Sequence, residues 1–132
     1  MHMAFFIWAA VLAGCTAQID SARTQVQRDA ESYAVASCLT QQTEPYLQDQ
    51  GDAWASVVVQ RMKGDIDALA GIAEQVRREN AKGDMAVVRD ENRPATGKEL
   101  AVLHCGEMID RPAVRAAIQK AIEVMRPSYE AR

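Results

Sequence analysis

Apolar residues recur at three- and four-residue steps through most of this chain, the spacing that places them on one face of an α-helix. Polar and charged residues fill the positions between them, as on the outer face of a packed helix. The apolar stripes predict five helices, over residues 20–43, 53–62, 65–80, 96–108 and 110–127.

Local signals suggest where these helices begin and end. Pro45 is expected to end or kink the first helix, because proline lacks an amide hydrogen and restricts the residue before it. Asp52 and Asp65 are candidate N-caps for the second and third helices. Thr96-Gly97-Lys98-Glu99 has the spacing of a capping box and is expected to open the fourth. Pro127 is expected to stop the last helix.

Residues 84–97 (DMAVVRDENRPATG) form the one long stretch without helical periodicity, apolar at first and then strongly polar. No apolar–polar alternation indicates a sheet. Loops of this length in compact domains are usually functional or disordered. The predicted fold is therefore all-α, a compact five-helix, bundle-like domain with one long loop, in which Tyr33 and Trp54 are core aromatics.

The first residues read as an export signal. Residues 4–12 (AFFIWAAVL) are uncharged and apolar but too short for a stable membrane anchor, and small residues follow them. Leu12-Ala13-Gly14-Cys15 resembles the lipobox of bacterial lipoproteins, which implies a signal peptide over 1–14, lipidation of Cys15 and a single helical domain over 15–132. A cut after Ala17 is the alternative. The segment lacks the usual basic residues at its start, so a buried N-terminal helix is a further alternative.

The cysteines fit an exported protein. If Cys15 is lipidated or removed, Cys38 and Cys105 remain as a pair in a compartment that permits disulfides. We predict a bridge between them. The alternative is two buried free thiols, since cysteine packs well as a small apolar residue.

Composition excludes some partners. The net charge is -3 and the predicted pI about 5.4, so no basic field would attract nucleic acid. No later segment is apolar enough to span a membrane, and membrane contact is expected only through a lipid anchor. The expected location is the periplasm, with the anchor in the membrane that faces it.

The sequence offers few residues that could form a catalytic site. Beyond the predicted leader, His104 is the single histidine, and it precedes Cys105 directly. Neighbours on a helix point about 100° apart, so these two side chains cannot form a catalytic pair. His104 and Glu107 alone do not make a metal site. We predict a protein that is not an enzyme and that uses no cofactor and no metal.

Two passages resemble the periplasmic immunity proteins that neutralise type VI secretion amidase effectors. They are residues 33–39 (YAVASCL) and 103–114 (LHCGEMIDRPAV), the second leading through a turn into the last helix. The turn Ile109-Asp110-Arg111-Pro112 matches the family pattern only in part. The resemblance implies an all-helical protein, commonly a homodimer. It also implies a protein partner, a secreted peptidoglycan amidase with a Cys-His active site that a protruding loop would occlude.

Inhibitory residues do not carry over from the family, so the candidate binding surface comes from this sequence. The loop over residues 84–97 is the first choice, flanked by the outer face of the third helix. The turn over residues 107–111 is the second. A structural or adaptor lipoprotein of the envelope is the alternative function, and a helical ligand-binding protein is a third. The first-choice residues are Glu74, Arg77, Arg78, Asp84, Arg89, Asp90, Glu91, Asn92 and Arg93, and the second-choice residues are Glu107, Asp110 and Arg111.

Overall fold

The computed structural model describes residues 23–131, so the predicted signal peptide, Cys15 and the alternative cut after Ala17 lie outside the described residues. The predicted five-helix, mainly α-helical fold is confirmed. No helix within residues 23–131 combines the length and apolar character needed to cross a membrane. The helices are α1 (Gln25–Thr40), α2 (Pro45–Arg61), α3 (Ala70–Asn80), α4 (Ala101–Glu107) and α5 (Pro112–Glu130), with 3-10 turns at Ile66–Leu69 and Met108–Asp110.

Helix α1 lies at the centre and packs against the four other helices. Most of its predicted stripe is buried, since Val26, Ala30, Ala34 and Cys38 are at most 3% exposed, but Gln41 at the end of the stripe is exposed. Burial of apolar area of this kind is the main force that holds a small domain together. The stripe meets apolar side chains of α3 and α5, among them Ile72, Val76, Val114, Ile118 and Met125.

The predicted disulfide is present. Cys38 of α1 and Cys105 of α4 are bonded, with their Cα atoms 5.4 Å apart, and both residues are fully buried. Helix α4 has only seven residues, and the bond joins it directly to the central helix. The bond therefore fixes α4 against α1.

The prediction for the second helix is wrong in its bounds and its burial. Pro45 starts α2 instead of ending α1, since the first position of a helix needs no amide hydrogen. Asp52 therefore lies inside α2 and caps nothing. Gly51 and Val58 are the residues of α2 that are buried, whereas Trp54 is 39% exposed and is not a core aromatic.

Pro127 also lies inside a helix, because α5 continues to Glu130. Proline removes one hydrogen bond of the preceding turn but leaves its own carbonyl free to accept, and Ala131 N donates to it over 3.1 Å. The last turn is held from outside as well, since the Tyr129 hydroxyl donates to Asp29 Oδ2 over 2.7 Å. Tertiary contacts thus outweigh the local stop signal.

From Val87 onward, the segment predicted as an irregular loop forms a hairpin, which corrects both that prediction and the absence of a sheet. Strands β1 (Val87–Asp90) and β2 (Arg93–Glu99) form an antiparallel hairpin, with Val87 opposite Glu99 and a register shift after Arg89. Thr96 and Glu99 lie in β2, so they do not form a capping box. Helix α4 begins at Ala101 without a side-chain cap. Asp90 Oδ1 accepts from the backbone amide of Asn92 over 2.9 Å and closes the turn.

Candidate partner-binding site

The hairpin projects from the helical body. Every residue from 86 to 99 whose burial the structure describes is exposed, including Val87 and Val88 at 52% each. The two strands pack mainly against one another. A two-stranded ribbon is narrow, with strands about 4.8 Å apart. The segment is therefore a projection with paired strands and not an irregular loop.

The end of the hairpin carries charges of both signs. Arg89, Asp90, Glu91 and Arg93 are exposed, and within residues 23–131 none of them forms an ion pair with another side chain. Asn92 lies between them at the turn. Charges without an internal partner remain free to pair with groups on another protein. We call residues 89–93 the hairpin tip.

The first arm of the hairpin, which is the chain from the end of α3 to β1, is held by a cluster of ion pairs that the sequence did not reveal. Arg111 donates to both carboxylate oxygens of Asp84 over 2.8 Å each, and to Glu79 Oε2 over 3.0 Å. Lys82 Nζ donates to Glu79 Oε1 over 2.8 Å. Hydrogen bonds from Lys82 and Arg111 lower the pKa of Glu79, and the bonds from Arg111 lower the pKa of Asp84. Asp84 is therefore a root residue of the hairpin and not part of its tip.

The second arm is held by the chain that follows it. Leu100 N donates to Ala86 O over 2.9 Å, and the chain then enters α4. Within α4, His104 Nε2 lies 2.9 Å from Asn80 Oδ1 at the end of α3, and Cys105 is bonded to α1. Both arms are thus attached to buried parts of the helical body.

The predicted flank on α3 is a closed cluster. Glu74 accepts hydrogen bonds from Arg77 Nη2 over 2.8 Å and from Arg78 Nε over 3.0 Å. The bonds from Arg77 and then Arg78 lower the pKa of Glu74 to about 2. Although the two arginines leave the cluster with a net positive charge, all three groups are already paired, so a partner would have to compete with these exposed pairs to use them. The hairpin tip is the more available surface.

The three residues of the second-choice turn differ in their exposure and contacts. Glu107 is exposed, and Asp110 faces solvent with Arg115 Nη2 3.4 Å from its Oδ1. The Arg111 side chain is only 23% exposed, because it is directed at Asp84 and Glu79. Arg111 therefore contacts the segment just before β1, which we call the hairpin root, although it is 27 residues from Asp84 in the sequence.

His104 is buried, with 6% of its surface exposed. Both sulfur atoms of Cys38 and Cys105 are in the disulfide, so neither is a thiolate nucleophile in this state. Within residues 23–131 no three His, Cys, Asp or Glu side chains lie close enough together to bind a metal ion.

We expect acid to destabilise the protein through His104. Burial and then the charge of Arg111 lower its pKa below the ordinary 6.5. The unfolded chain therefore takes up this proton first as the pH falls, and the free energy of unfolding declines below pH 6.5 until the folded pKa is passed. The pKa values of Glu79 and Asp84 are lowered, so protonation of these carboxylates reduces the free energy of unfolding only in stronger acid.

Urea unfolding at several values between about pH 7 and about pH 5.5 measures this slope. His104→Gln keeps a group that can donate to Asn80 but removes the titration, and it should flatten the curve in this range. An equal slope in the variant would show that another group carries it.

An open apolar groove, also not expected from the sequence, runs along α2. It is lined by Tyr46, Leu47, Trp54 and Val57, with Val102 of α4 on the other side. It lies on the surface and is not the enclosed cavity that a helical ligand-binding protein would require. Its aromatic side chains are of the kind found in protein interfaces.

Comparison with known proteins gives no family assignment: no family model matches the sequence, and neither a curated protein nor a solved structure matches it significantly. The resemblance to type VI amidase immunity proteins therefore stays a prediction from two short passages.

Proposed function

We propose that this protein is a periplasmic immunity protein that binds a cognate type VI secreted peptidoglycan amidase and occludes its active site. The observation that carries the proposal is the exposed hairpin with free charges at its tip. The protein acts by binding and is not an enzyme. Its partner is the amidase, and a homodimer and a lipid anchor at Cys15 belong to the same proposal.

Occlusion requires a segment that reaches into a cleft and keeps its shape there. A two-stranded ribbon meets both needs, since its cross-strand hydrogen bonds satisfy the backbone before any partner is present. Less ordering is then needed on binding than for a flexible loop, so less free energy of binding is lost. The hairpin is the part of the described surface that best fits this task.

The tip also suits recognition of one specific protein. Arg89 and Arg93 offer guanidinium groups that pair with carboxylates in a fork geometry, while Asp90 and Glu91 accept from basic or backbone groups. Mixed charge of this kind selects a partner by complementarity and rejects partners with the reverse pattern.

The second candidate function is a structural or adaptor lipoprotein of the envelope. The apolar groove along α2, with Trp54 at its edge, supports it, because exposed apolar surface often marks a protein contact. On this alternative the partner would bind at α2, and the hairpin tip would not matter.

Alanine variants of the tip test the proposal. We expect Arg89→Ala or Arg93→Ala, and Asp90→Ala or Glu91→Ala, to weaken binding of the purified amidase. A true anchor should cost at least about 2 kcal/mol, roughly thirtyfold in affinity, because a few central side chains carry most of the binding energy. Calorimetry gives affinity and stoichiometry, and peptidoglycan cleavage gives inhibition, which should follow occupancy at one amidase per protomer.

Arg126→Ala and Glu123→Ala on the exposed surface of α5 are the controls and should bind like the wild type. Loss of binding in Glu107→Ala, with every tip variant unaffected, would show that the second-choice turn is the segment that occludes the amidase. If no amidase encoded beside the gene binds, the immunity proposal falls. If α2 groove variants then lose an envelope partner, the adaptor function takes its place.

A further inference from the structure

The first arm of the hairpin would be free to swing if nothing held it. Between the end of α3 at Asn80 and the start of β1 at Val87, the chain has no regular structure. Gly83 has a φ of +66°, and no atom lies within 4 Å of the place that a Cβ would occupy. This is an open, left-handed turn that glycine adopts without strain. The direction of the hairpin must therefore be set by the second arm, which leads into α4, and by side-chain contacts of this arm.

We propose that Arg111 is a positioning residue, which fixes the direction of the hairpin by holding Asp84 and Glu79 together at its root. The proposal rests on the function proposed above as far as amidase binding is concerned. The orientation of the hairpin is a separate property that can be measured without a partner. Arg111 itself is not a contact residue in this proposal.

The geometry requires arginine. The two N–H groups of one guanidinium edge meet the two oxygens of Asp84, and Arg111 Nη1 also reaches Glu79 Oε2. A planar fork can constrain both the position and the plane of a carboxylate, whereas a lysine ammonium is a point charge. Glu79 lies on α3 and is 6% exposed, so it is a fixed reference point. Asp84, three residues before β1, is the part that is held.

Arg111 stands at the start of α5, but the helix does not depend on its side chain. Its backbone carbonyl accepts from Arg115 N over 2.8 Å, and Pro112 occupies the first helical position. No side-chain cap is made there. Replacing the guanidinium therefore removes the root contact and leaves the helix start in place.

A hairpin that points in many directions would bind its partner less well. The apparent dissociation constant equals the intrinsic constant divided by the fraction of molecules in the competent orientation. If that fraction falls to about one tenth, affinity falls about tenfold. The loss should appear in the association rate, because fewer encounters meet a hairpin that is already in position.

Residual dipolar couplings of backbone amides in weakly aligned, ¹⁵N-labelled protein test the orientation directly. In the wild type, one alignment tensor should describe both the hairpin and the helices. In Arg111→Gln and in Asp84→Asn, the couplings of residues 87–99 should shrink severalfold relative to those of α1 and α5. Arg111→Lys should give an intermediate result. Arg126→Gln, an exposed arginine of the same helix, is the matched control and should leave the couplings unchanged.

Unchanged hairpin couplings in both Arg111→Gln and Asp84→Asn would overturn the proposal. So would a loss of amidase affinity in Arg111→Gln without any change in the couplings, because that result would make Arg111 a direct contact. Cross-strand contacts between Val88 and Lys98 should persist in all variants, which separates reorientation from melting of the hairpin. If the wild type binds no amidase, the proposed function fails, and the couplings still decide the role of Arg111.

Discussion

Replacing Cys38 and Cys105 together by alanine is expected to lower the free energy of unfolding by about 4 kcal/mol. The two residues are 67 positions apart, so the bond removes much of the conformational freedom of the unfolded chain. Both are fully buried, and Gln42 Nε2 lies 3.5 Å from Cys105 Sγ, so the variant also loses packing. The total free energy of unfolding of a natural domain is about 5–15 kcal/mol. The loss would be a large part of that margin.

Urea unfolding of the variant and of the wild type, each with and without reductant, measures the effect. Reductant should destabilise the wild type and leave the double variant unchanged. Equal stability of the oxidised wild type and the double variant would contradict the prediction. Since the bond attaches α4 to α1, and β2 leads into α4, we also expect reduction to weaken the second arm of the hairpin.

The sequence predicted what depends on burial. The stripe of α1 and the face of α5 were largely correct because a helix packed on a core must repeat its apolar residues at the helical period. The face predicted for the third helix was correct only in part, since Ile66 is 51% exposed while Ile72 is fully buried. The cysteine pair was correct because only two cysteines remain after the predicted leader. These are strong constraints on composition and spacing.

The hairpin was missed because it buries neither face. A strand reveals itself by alternation only when one side is apolar and covered, and here both sides are exposed. The usable signals were local: Val87-Val88, which favour a strand, and Asp90, which favours a turn. Against them stood the apparent capping box at Thr96-Gly97-Lys98-Glu99. A motif of two residues with fixed spacing occurs often by chance.

The hairpin root could not be read from the sequence at all. Asp84 and Arg111 are 27 residues apart and belong to elements whose relative placement depends on the whole fold. Exposed charges carry no periodicity that would mark a partner. The tip residues, by contrast, were within the predicted loop, and the structure adds that they lack internal ion pairs while Glu74, Arg77 and Arg78 pair with one another.

The second prediction with a large expected effect on stability concerns Gly51, where α1 and α2 approach each other closely. A Cβ at Gly51 would lie 2.6 Å from the Thr40 backbone nitrogen, 2.9 Å from the Ala36 carbonyl oxygen and 2.9 Å from Leu39 Cβ. Two of these three neighbours are backbone atoms, which cannot turn aside as a flexible side chain would. A larger residue at position 51 must therefore push α2 away from the central helix.

We expect Gly51→Leu to lower the free energy of unfolding by about 3 kcal/mol, the upper part of the range for overpacked cores. Gly51→Ala should cost less, because its single methyl group needs a smaller shift and alanine regains about 1 kcal/mol of helix propensity. Gly71→Leu and Gly106→Leu are the matched controls, since no atom lies within 4 Å of a Cβ at either helical position. Leucine favours a helix over glycine, so these controls should be neutral or stabilising.

Urea unfolding separates the outcomes, and the fluorescence of Trp54 reports on α2 itself, because this residue lies one turn from Gly51 and is the only tryptophan after the predicted leader. A displaced α2 should change the Trp54 emission in Gly51→Leu but not in Gly106→Leu. If Gly51→Leu were as stable as its controls, the two helices would not be in close contact at this point. The short distance between α1 and α2, and the position of the apolar groove beside it, would then be wrong.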